Sequence, residues 1–387
     1  MEAAEGAKLP PYLSPDREIH VVISIASGLR GAQSYYDDTL KPILETHSVK
    51  HTVHTTKSAS SIIELCNTTI LIAATKGAKQ TILLLSGDGG IVDFVNTLST
   101  LLMRDTYDSR VGSIFVKPVV VLFPQGTANA LAWSSKVALD PIQTMLNGHP
   151  RPLPQFEATF SPGSTLVTNE GADREDMGTN YDGDAAVIYG AVVFSWGLHA
   201  SLVSMSDTTE YRKHGTDRFK MAAEKLLTEG HVYQGIVKTR QGRDGEWKHL
   251  TYPSTDNATT ANKADRHAYV LCPLVSNLEQ TFCISPATEA VSNTMRFLAI
   301  DPEKGSEEIM RVLMLAYQNG AHVTEPTVTY EEIDGLRIEF QEEDAQWRQV
   351  CVDGKIIEVP RGGWAEVRML PPMGMDGRRV LELVVPT

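Results

Sequence analysis

The residue of this chain best placed to do chemistry is Asp88, a carboxylate set among glycines in Ser86-Gly87-Asp88-Gly89-Gly90. The apolar run Ile82 to Leu85 precedes it, and Ile91, Phe94, Val95, Leu98, Leu101 and Leu102 follow at the spacing of one buried helix face. The pattern predicts strand, glycine-rich turn, helix. A turn of this kind at the carboxyl end of a strand is where open α/β sheets hold ligands, and its backbone N–H groups suit phosphate. Asp88 then sits beside the phosphate site. Asp-Gly is also a common turn pair, so the bare motif leaves a purely structural reading open. A second loop with a related composition, Pro124-Gln125-Gly126-Thr127-Ala128-Asn129, follows the apolar run Pro118 to Phe123.

These loops need a sheet to hold them. Ile19 to Ile25 is a β-branched run followed by Ser27-Gly28-Leu29-Arg30-Gly31 and a helical stretch, and Lys50 to Thr55 leads through Thr56-Lys57-Ser58 into another helix. Together with the runs before Gly87 and Gly126 they make successive strand–loop–helix units, which predict a parallel sheet covered on both faces. Prolines crowd Asp140 to Pro154, and the character then changes. Strand-like runs dominate beyond it: Gln155 to Phe160, Ala185 to Phe194, His231 to Thr239, His267 to Val275, Met295 to Ile300, Leu336 to Phe340, Gln349 to Val352, Lys355 to Val359, Ala365 to Leu370 and Val380 to Val385. Short strands bounded by turn residues predict an antiparallel β-sandwich, punctuated by helices over Asp217 to Glu229 and Ser306 to Asn319. The polar stretches Thr168 to Asp184 and Pro253 to Arg266 are expected as loops. The expected organisation is a polar leader over 1–17, an α/β nucleotide-binding domain over 18–145 and a β-sandwich domain over 146–387.

Composition narrows the function. The 48 acidic and 35 basic residues give a net charge of −13, which argues against general nucleic-acid binding. The four cysteines form no C-x-x-C pair, so reduced thiols are expected rather than zinc or a disulfide framework. The amino terminus lacks the basic and apolar regions of a secretory signal, and no apolar run approaches the roughly 18 residues of a membrane span. A cytoplasmic protein is expected. Neither the P-loop pattern nor G-x-G-x-x-G occurs after a strand, and the sequence around Ser195 lacks the glycine that opens a nucleophile elbow.

The motifs Ser86-Gly87-Asp88-Gly89, Pro124-Gln125-Gly126-Thr127-Ala128-Asn129-Ala130-Leu131-Ala132 and Val352-Asp353-Gly354, in this order, resemble the diacylglycerol kinase catalytic superfamily. The stretches Ser195-Trp196-Gly197-Leu198, Glu210-Tyr211-Arg212-Lys213-His214-Gly215 and Arg218-Phe219 are most similar to its sphingosine and ceramide kinase branch. The resemblance implies an α/β nucleotide domain, a β-sandwich lipid domain and ATP in the cleft between them. It implies Asp88 as the general base for a lipid hydroxyl. It implies nucleotide contacts from Ser27, Thr56, Gly87, Gly89, Gly90, Gly126, Thr127 and Asn129, with Arg212 and Arg218 on the phosphates and Asp353 at the magnesium and nucleotide site. The positions matching a lipid-holding aspartate are Ser201 and, six residues on, Asp207.

Four departures qualify the resemblance. The usual Asn-Pro after the first strand is Ser24-Ile25, the usual His-Glu after the glycine turn is Val92-Asp93, and the usual Asp-Gly-Glu near the end is Asp353-Gly354-Lys355. Ser201 stands where sphingosine kinases carry aspartate. The expected activity is ATP- and Mg2+-dependent phosphorylation of a lipid's primary hydroxyl at a membrane surface, by a protein associating peripherally with the bilayer. A sphingoid base comes first, diacylglycerol or ceramide next. A catalytically weakened nucleotide- or lipid-binding homologue is the competing reading. Trp196 and Phe219 are expected in the core rather than on the lipid.

Overall fold

In the computed structural model, which describes residues 9–106, 115–178, 185–252, 265–371 and 379–387, the chain divides into two units. One comprises Met1–Leu153 with Arg378–Thr387, the other Pro154–Gly377. Strands are numbered along the chain.

The first unit is built on β1 (Glu18–Ile23), β2 (Thr52–Thr55), β3 (Gln80–Ser86), β4 (Val119–Pro124), β5 (His149–Pro152) and the last strand, β21 (Glu382–Val385), in the order β2-β1-β3-β4-β21-β5. All neighbours are parallel except β5, which runs antiparallel to β21 at the edge. Every residue of β3 is buried, as expected of a central strand with helices on both faces, whereas edge strand β2 is largely exposed. The helix Asp88–Thr106 follows β3 directly, as its apolar spacing predicts. Winding reverses between β1 and β3. The chain goes from β1 to β2 on one side and then to β3 on the other, so this sheet has its switch point there.

The second unit contains β6 (Phe156–Phe160), β7 (Thr165–Thr168), β8 (Asp173–Asp176), β9 (Ala186–Gly190), β10 (Val193–Gly197), β11 (Tyr233–Arg240), β12 (Lys248–His249), β13 (Arg266–His267), β14 (Tyr269–Pro273), β15 (Met295–Ile300), β16 (Val328–Ile333), β17 (Gly335–Phe340), β18 (Gln349–Val352), β19 (Lys355–Glu358) and β20 (Trp364–Met369). They form two antiparallel sheets, β16-β15-β14-β10-β18-β19-β7-β8 and β12-β11-β17-β20-β6-β9, with β13 pairing β11. One core lies between them, drawing Phe194, Trp196 and Phe297 from the first sheet and Phe156, Phe160 and Ile338 from the second. Trp196 is its centre. The indole is fully buried, meets Phe340 edge-on at 5.3 Å and donates to the Trp347 carbonyl at 2.8 Å. Phe219 is half-buried beneath the Arg218 guanidinium.

The fold differs from the sequence reading at particular places. The run Ala185 to Phe194 is two strands, because the chain turns at Ala191-Val192. The final run pairs with β4 and β5 of the first unit rather than joining the sandwich. β8 lies inside the stretch Thr168 to Asp184 expected as a loop; its residues are all exposed, so no apolar alternation marked it. The serine-rich helix Leu198–Ser206 was also unmarked. Residues 1–8 of the expected leader, 179–184 and 253–264 of the expected loops lie outside the described residues. All four cysteines are unbridged. Among the described residues no helix is long and apolar enough to cross a membrane.

Candidate functional site

Three loops leave the carboxyl ends of the adjacent strands β1, β3 and β4, and they meet at glycines. A Cβ on Gly87 would lie 2.8 Å from the Gly126 Cα, and one on Gly126 would lie 2.5 Å from the Gly87 Cα. Both neighbours are backbone, so neither can yield. Gly28, at φ +49°, leaves no room for a side chain against the Gln125 carbonyl. Side chains then tie the loops. Ser27 Oγ accepts from the Gly87 amide at 3.0 Å, while Asn129 accepts from the Gly126 amide and donates to its carbonyl, both at 2.8 Å. Asn129 does this from a left-handed backbone, φ 54°, a conformation that asparagine tolerates better than most residues.

Asp88 begins the Asp88–Thr106 helix and reaches across to the next loop. Its Oδ2 accepts from the Ala130 amide at 2.7 Å and its Oδ1 from the Leu131 amide at 3.0 Å. These are the first amides of the short helix Ala130–Ser134, which lack an acceptor inside that helix. Burial pushes the carboxyl pKa up, and the two amides pull against that shift without cancelling it. A carboxylate made more basic by desolvation is the kind a general base requires. A small cavity beside it is lined by Ser86, Gly87, Ile91, Leu122, Pro124, Asn129 and Ala132.

The donors left for a ligand differ from those expected. The Gly87 and Gly126 amides are engaged within the protein, whereas those of Gly89, Thr127 and Ala128 have no protein acceptor among the described residues. Gly89, Thr127 and Ala128 are exposed. Gly90 packs its backbone on Ser86 and donates to the Gly87 carbonyl at 3.1 Å. Thr56 follows β2, half-buried, its amide on the Ile23 carbonyl. Ser24, in place of asparagine, is buried with its amide on the Leu85 carbonyl. Sequence reasoning missed the Ala130 and Leu131 amides, for which the only signal was the predicted helix start after Asn129.

The remaining candidates belong to the second unit. Arg212 donates through Nε and Nη2 to a single oxygen of Asp207, at 3.0 and 2.8 Å, and through Nη1 to Glu170 at 3.4 Å. Arg218 approaches the same Asp207 oxygen at 3.7 Å. A carboxylate thus sits between the two guanidinia expected to hold phosphate. Ser201 is buried and accepts from the Tyr233 hydroxyl at 2.8 Å. Asp353 and Gly354, both at positive φ, form the two-residue turn between β18 and β19. The Asp353 carboxylate accepts from the amides of Ala191 at 2.6 Å, Val192 at 3.0 Å and Val193 at 2.5 Å. It fixes the β9–β10 turn. The described residues contain no cluster of three or more His, Cys, Asp or Glu able to cage a metal.

Comparison with known proteins agrees with this geometry. Residues 18–154 match the family model of the diacylglycerol kinase catalytic domain, so the region carrying the three glycine loops has that domain's pattern. No curated protein matches the chain. A crystal structure described as a diacylglycerol kinase from Bacillus anthracis strain Sterne is similar with a TM-score of 0.55 at 10% identity, covering 96% of this chain and 98% of that one. A second crystal structure from the same organism gives 0.59 at 11% identity with the same coverage. At this identity the likeness is one of fold. The family match supports a lipid kinase, and a kinase domain of this kind implies use of ATP.

Proposed function

We propose that the chain transfers the γ-phosphate of ATP to the primary hydroxyl of a lipid, with Asp88 as the base. The observation that carries this reading is the Asp88 carboxylate, raised in pKa by burial and pinned by the Ala130 and Leu131 amides beside loops with open N–H groups. Phosphoryl transfer needs positioning and charge stabilisation more than covalent help. Asp88 takes the hydroxyl proton, the lipid oxygen bonds to the γ-phosphorus, the β–γ bridge breaks and ADP departs. Gly89, Thr127 and Ala128 supply amides to the phosphates, with Thr56 and Ser27 nearby. A magnesium ion, where used, would be held largely by the triphosphate's own oxygens and water.

The geometry favours a neutral lipid over a sphingoid base. The two residues considered for holding an amine are both engaged, Ser201 by Tyr233 and Asp207 by Arg212. A diacylglycerol-type alcohol is therefore our first choice, with ceramide and sphingoid base after it. The protein meets its lipid at a membrane surface by peripheral contact. The test is transfer from labelled ATP to a panel of diacylglycerol, ceramide, sphingoid base and monoacylglycerol in mixed micelles. Labelling of diacylglycerol above the others supports the assignment, labelling of the sphingoid base alone reverses the preference, and labelling of none overturns the kinase reading.

A further inference from the structure

The loop after β1 holds an apolar tip out into solvent beside the candidate site. Leu29 is 94% exposed, more than any other large apolar side chain among the described residues, and Ile25 in the same loop is 42% exposed. The loop is not free to fold these side chains away. The Ser27 amide donates to the Ser24 carbonyl at 3.1 Å and the Arg30 amide to the Ser27 carbonyl at 2.8 Å. Ser27 Oγ, on the Gly87 amide, and Gly28, packed on the Gln125 carbonyl, anchor the loop to those after β3 and β4. The backbone is left-handed at Gly28, φ 49°, and again at Arg30, φ 61°, so Leu29 stands between two reversals.

The exposed charges around this tip are of one sign. Residues 24–31, 55–61, 86–90 and 124–129, at the carboxyl ends of β1, β2, β3 and β4, include Arg30, Lys57 and Asp88 as their only charged side chains. Asp88 is occupied by two backbone amides, whereas Arg30 and Lys57 are exposed, with no side-chain hydrogen bond or ion pair among the described residues. The Thr56 amide on the Ile23 carbonyl sets the Lys57 loop beside that of Arg30. The next carboxylates along the chain, Asp37 and Glu64, lie in the following helices and accept from Gln33 and Ser60. A chain of net charge −13 thus keeps exposed carboxylates out of the loops that carry its site. A nucleotide's phosphates would suit the two cations but not Leu29 and Ile25, whose exposure is unfavourable until an apolar medium takes them. A bilayer interface suits both kinds of side chain, the apolar pair at the acyl boundary and the cations at anionic headgroups.

We propose that the β1 loop docks the chain on an anionic lipid surface, with Leu29 and Ile25 entering the interface and Arg30 and Lys57 facing its headgroups. The proposal rests on the lipid-kinase reading, because it supplies the means by which the Asp88 site meets a substrate that stays in its bilayer. Ser27 of the same loop holds Gly87, so docking brings the glycine loops to the membrane.

The test is co-sedimentation of the full chain with vesicles of phosphatidylcholine, with and without phosphatidylserine. The native chain should be captured saturably, more strongly with phosphatidylserine and less as salt rises. Leu29→Ser should lower the partition coefficient about tenfold. Leu29→Trp should keep it and add a blue-shifted indole emission on vesicle addition. Arg30→Gln with Lys57→Gln should remove the gain from phosphatidylserine. Leu139→Ser, at a leucine 72% exposed outside these loops, should bind as the native chain does. Leu29→Ser should also keep the native Tm and its rise with ATP, which separates docking from folding and from nucleotide binding. A chain captured through Leu29 that transfers phosphate to no lipid supports docking and overturns the kinase reading alone. A chain that transfers phosphate yet is not captured overturns docking alone. Undiminished capture of Leu29→Ser, or an equal loss in Leu139→Ser, also overturns the proposal.

Discussion

Asp88→Asn separates the proton-accepting role of this carboxylate from its structural one. In the native chain both oxygens accept, from Ala130 at 2.7 Å and Leu131 at 3.0 Å. Asparagine keeps one oxygen, so its NH2 must face the other amide, donor against donor. Losing a hydrogen bond to a charged acceptor and stranding a buried donor costs about 2–3 kcal/mol. Part of this is offset, because the desolvated charge that raised the carboxyl pKa is gone. A net loss of about 2 kcal/mol leaves a domain of ordinary stability, ~5–15 kcal/mol, folded at 25 °C.

Removing a general base lowers kcat by about 10²- to 10⁴-fold, equivalent to ~3–5 kcal/mol of barrier. The catalytic loss therefore exceeds anything the small unfolded fraction can explain. The assay is initial-rate transfer of labelled phosphate to the accepted lipid, normalised to folded protein by circular dichroism, from acidic to alkaline pH. Native kcat/KM should rise with pH as Asp88 deprotonates, and the variant should lose that limb. A folded variant that retains kcat within about tenfold of native and the same acid limb refutes the assignment of Asp88 as base.

Three other outcomes follow from the structure. Gly126→Ala, whose Cβ would lie 2.5 Å from the Gly87 Cα, should lower Tm by several degrees and abolish nucleotide binding, whereas Gly89→Ala, with nothing within 4 Å, should leave both near native; differential scanning fluorimetry with and without ATP reads both. Asp353→Ala strands the Ala191, Val192 and Val193 amides and should destabilise by about 3 kcal/mol or more in denaturant unfolding, with the magnesium dependence of transfer unchanged. A changed magnesium dependence would return Asp353 to the metal site. His20, buried against His54 with ring nitrogens 3.1 Å apart, has its pKa lowered by burial to about 4. The unfolded chain then binds the extra proton first, so stability is full above about pH 6.5 and falls toward pH 4, by roughly 3 kcal/mol. His54 is lowered for the same reason and adds to the slope, which Tm measured against pH should reveal and His20→Gln should flatten.

The parts of this molecule legible in its sequence are those fixed by local pattern. β1, β3 and β4 are β-branched or leucine-rich runs that end at glycine, and the helix after Gly90 keeps its apolar face in register, so sheet and loops could be drawn before any coordinates. The Asp353-Gly354 turn was legible as a hairpin because that pair suits positive φ at both positions. Choices made by tertiary contact were not legible. Nothing in Val380 to Val385 says which sheet it joins, and an exposed strand such as β8 has no buried face to leave a period in the sequence. Likewise Asp207 and Arg212, five residues apart, could each be matched to a ligand; only folding brings one against the other.

The glycine loops carry a broader consequence. Gly87 and Gly126 suggested phosphate donors because glycine lets backbone approach a ligand, yet here it lets backbone approach backbone. Loops whose Cα atoms pass too closely for any Cβ must satisfy their own amides, and Ser27 and Asn129 do so. The donors that remain fall one or two residues further on, at Gly89, Thr127 and Ala128, where the chain is exposed and the amide has no acceptor among the described residues. A glycine in such a motif thus sets where the loops cross, and the amides offered to phosphate belong to its neighbours. The contrast between Gly126→Ala and Gly89→Ala follows directly: the first removes the crossing, while the second keeps both the crossing and the amide.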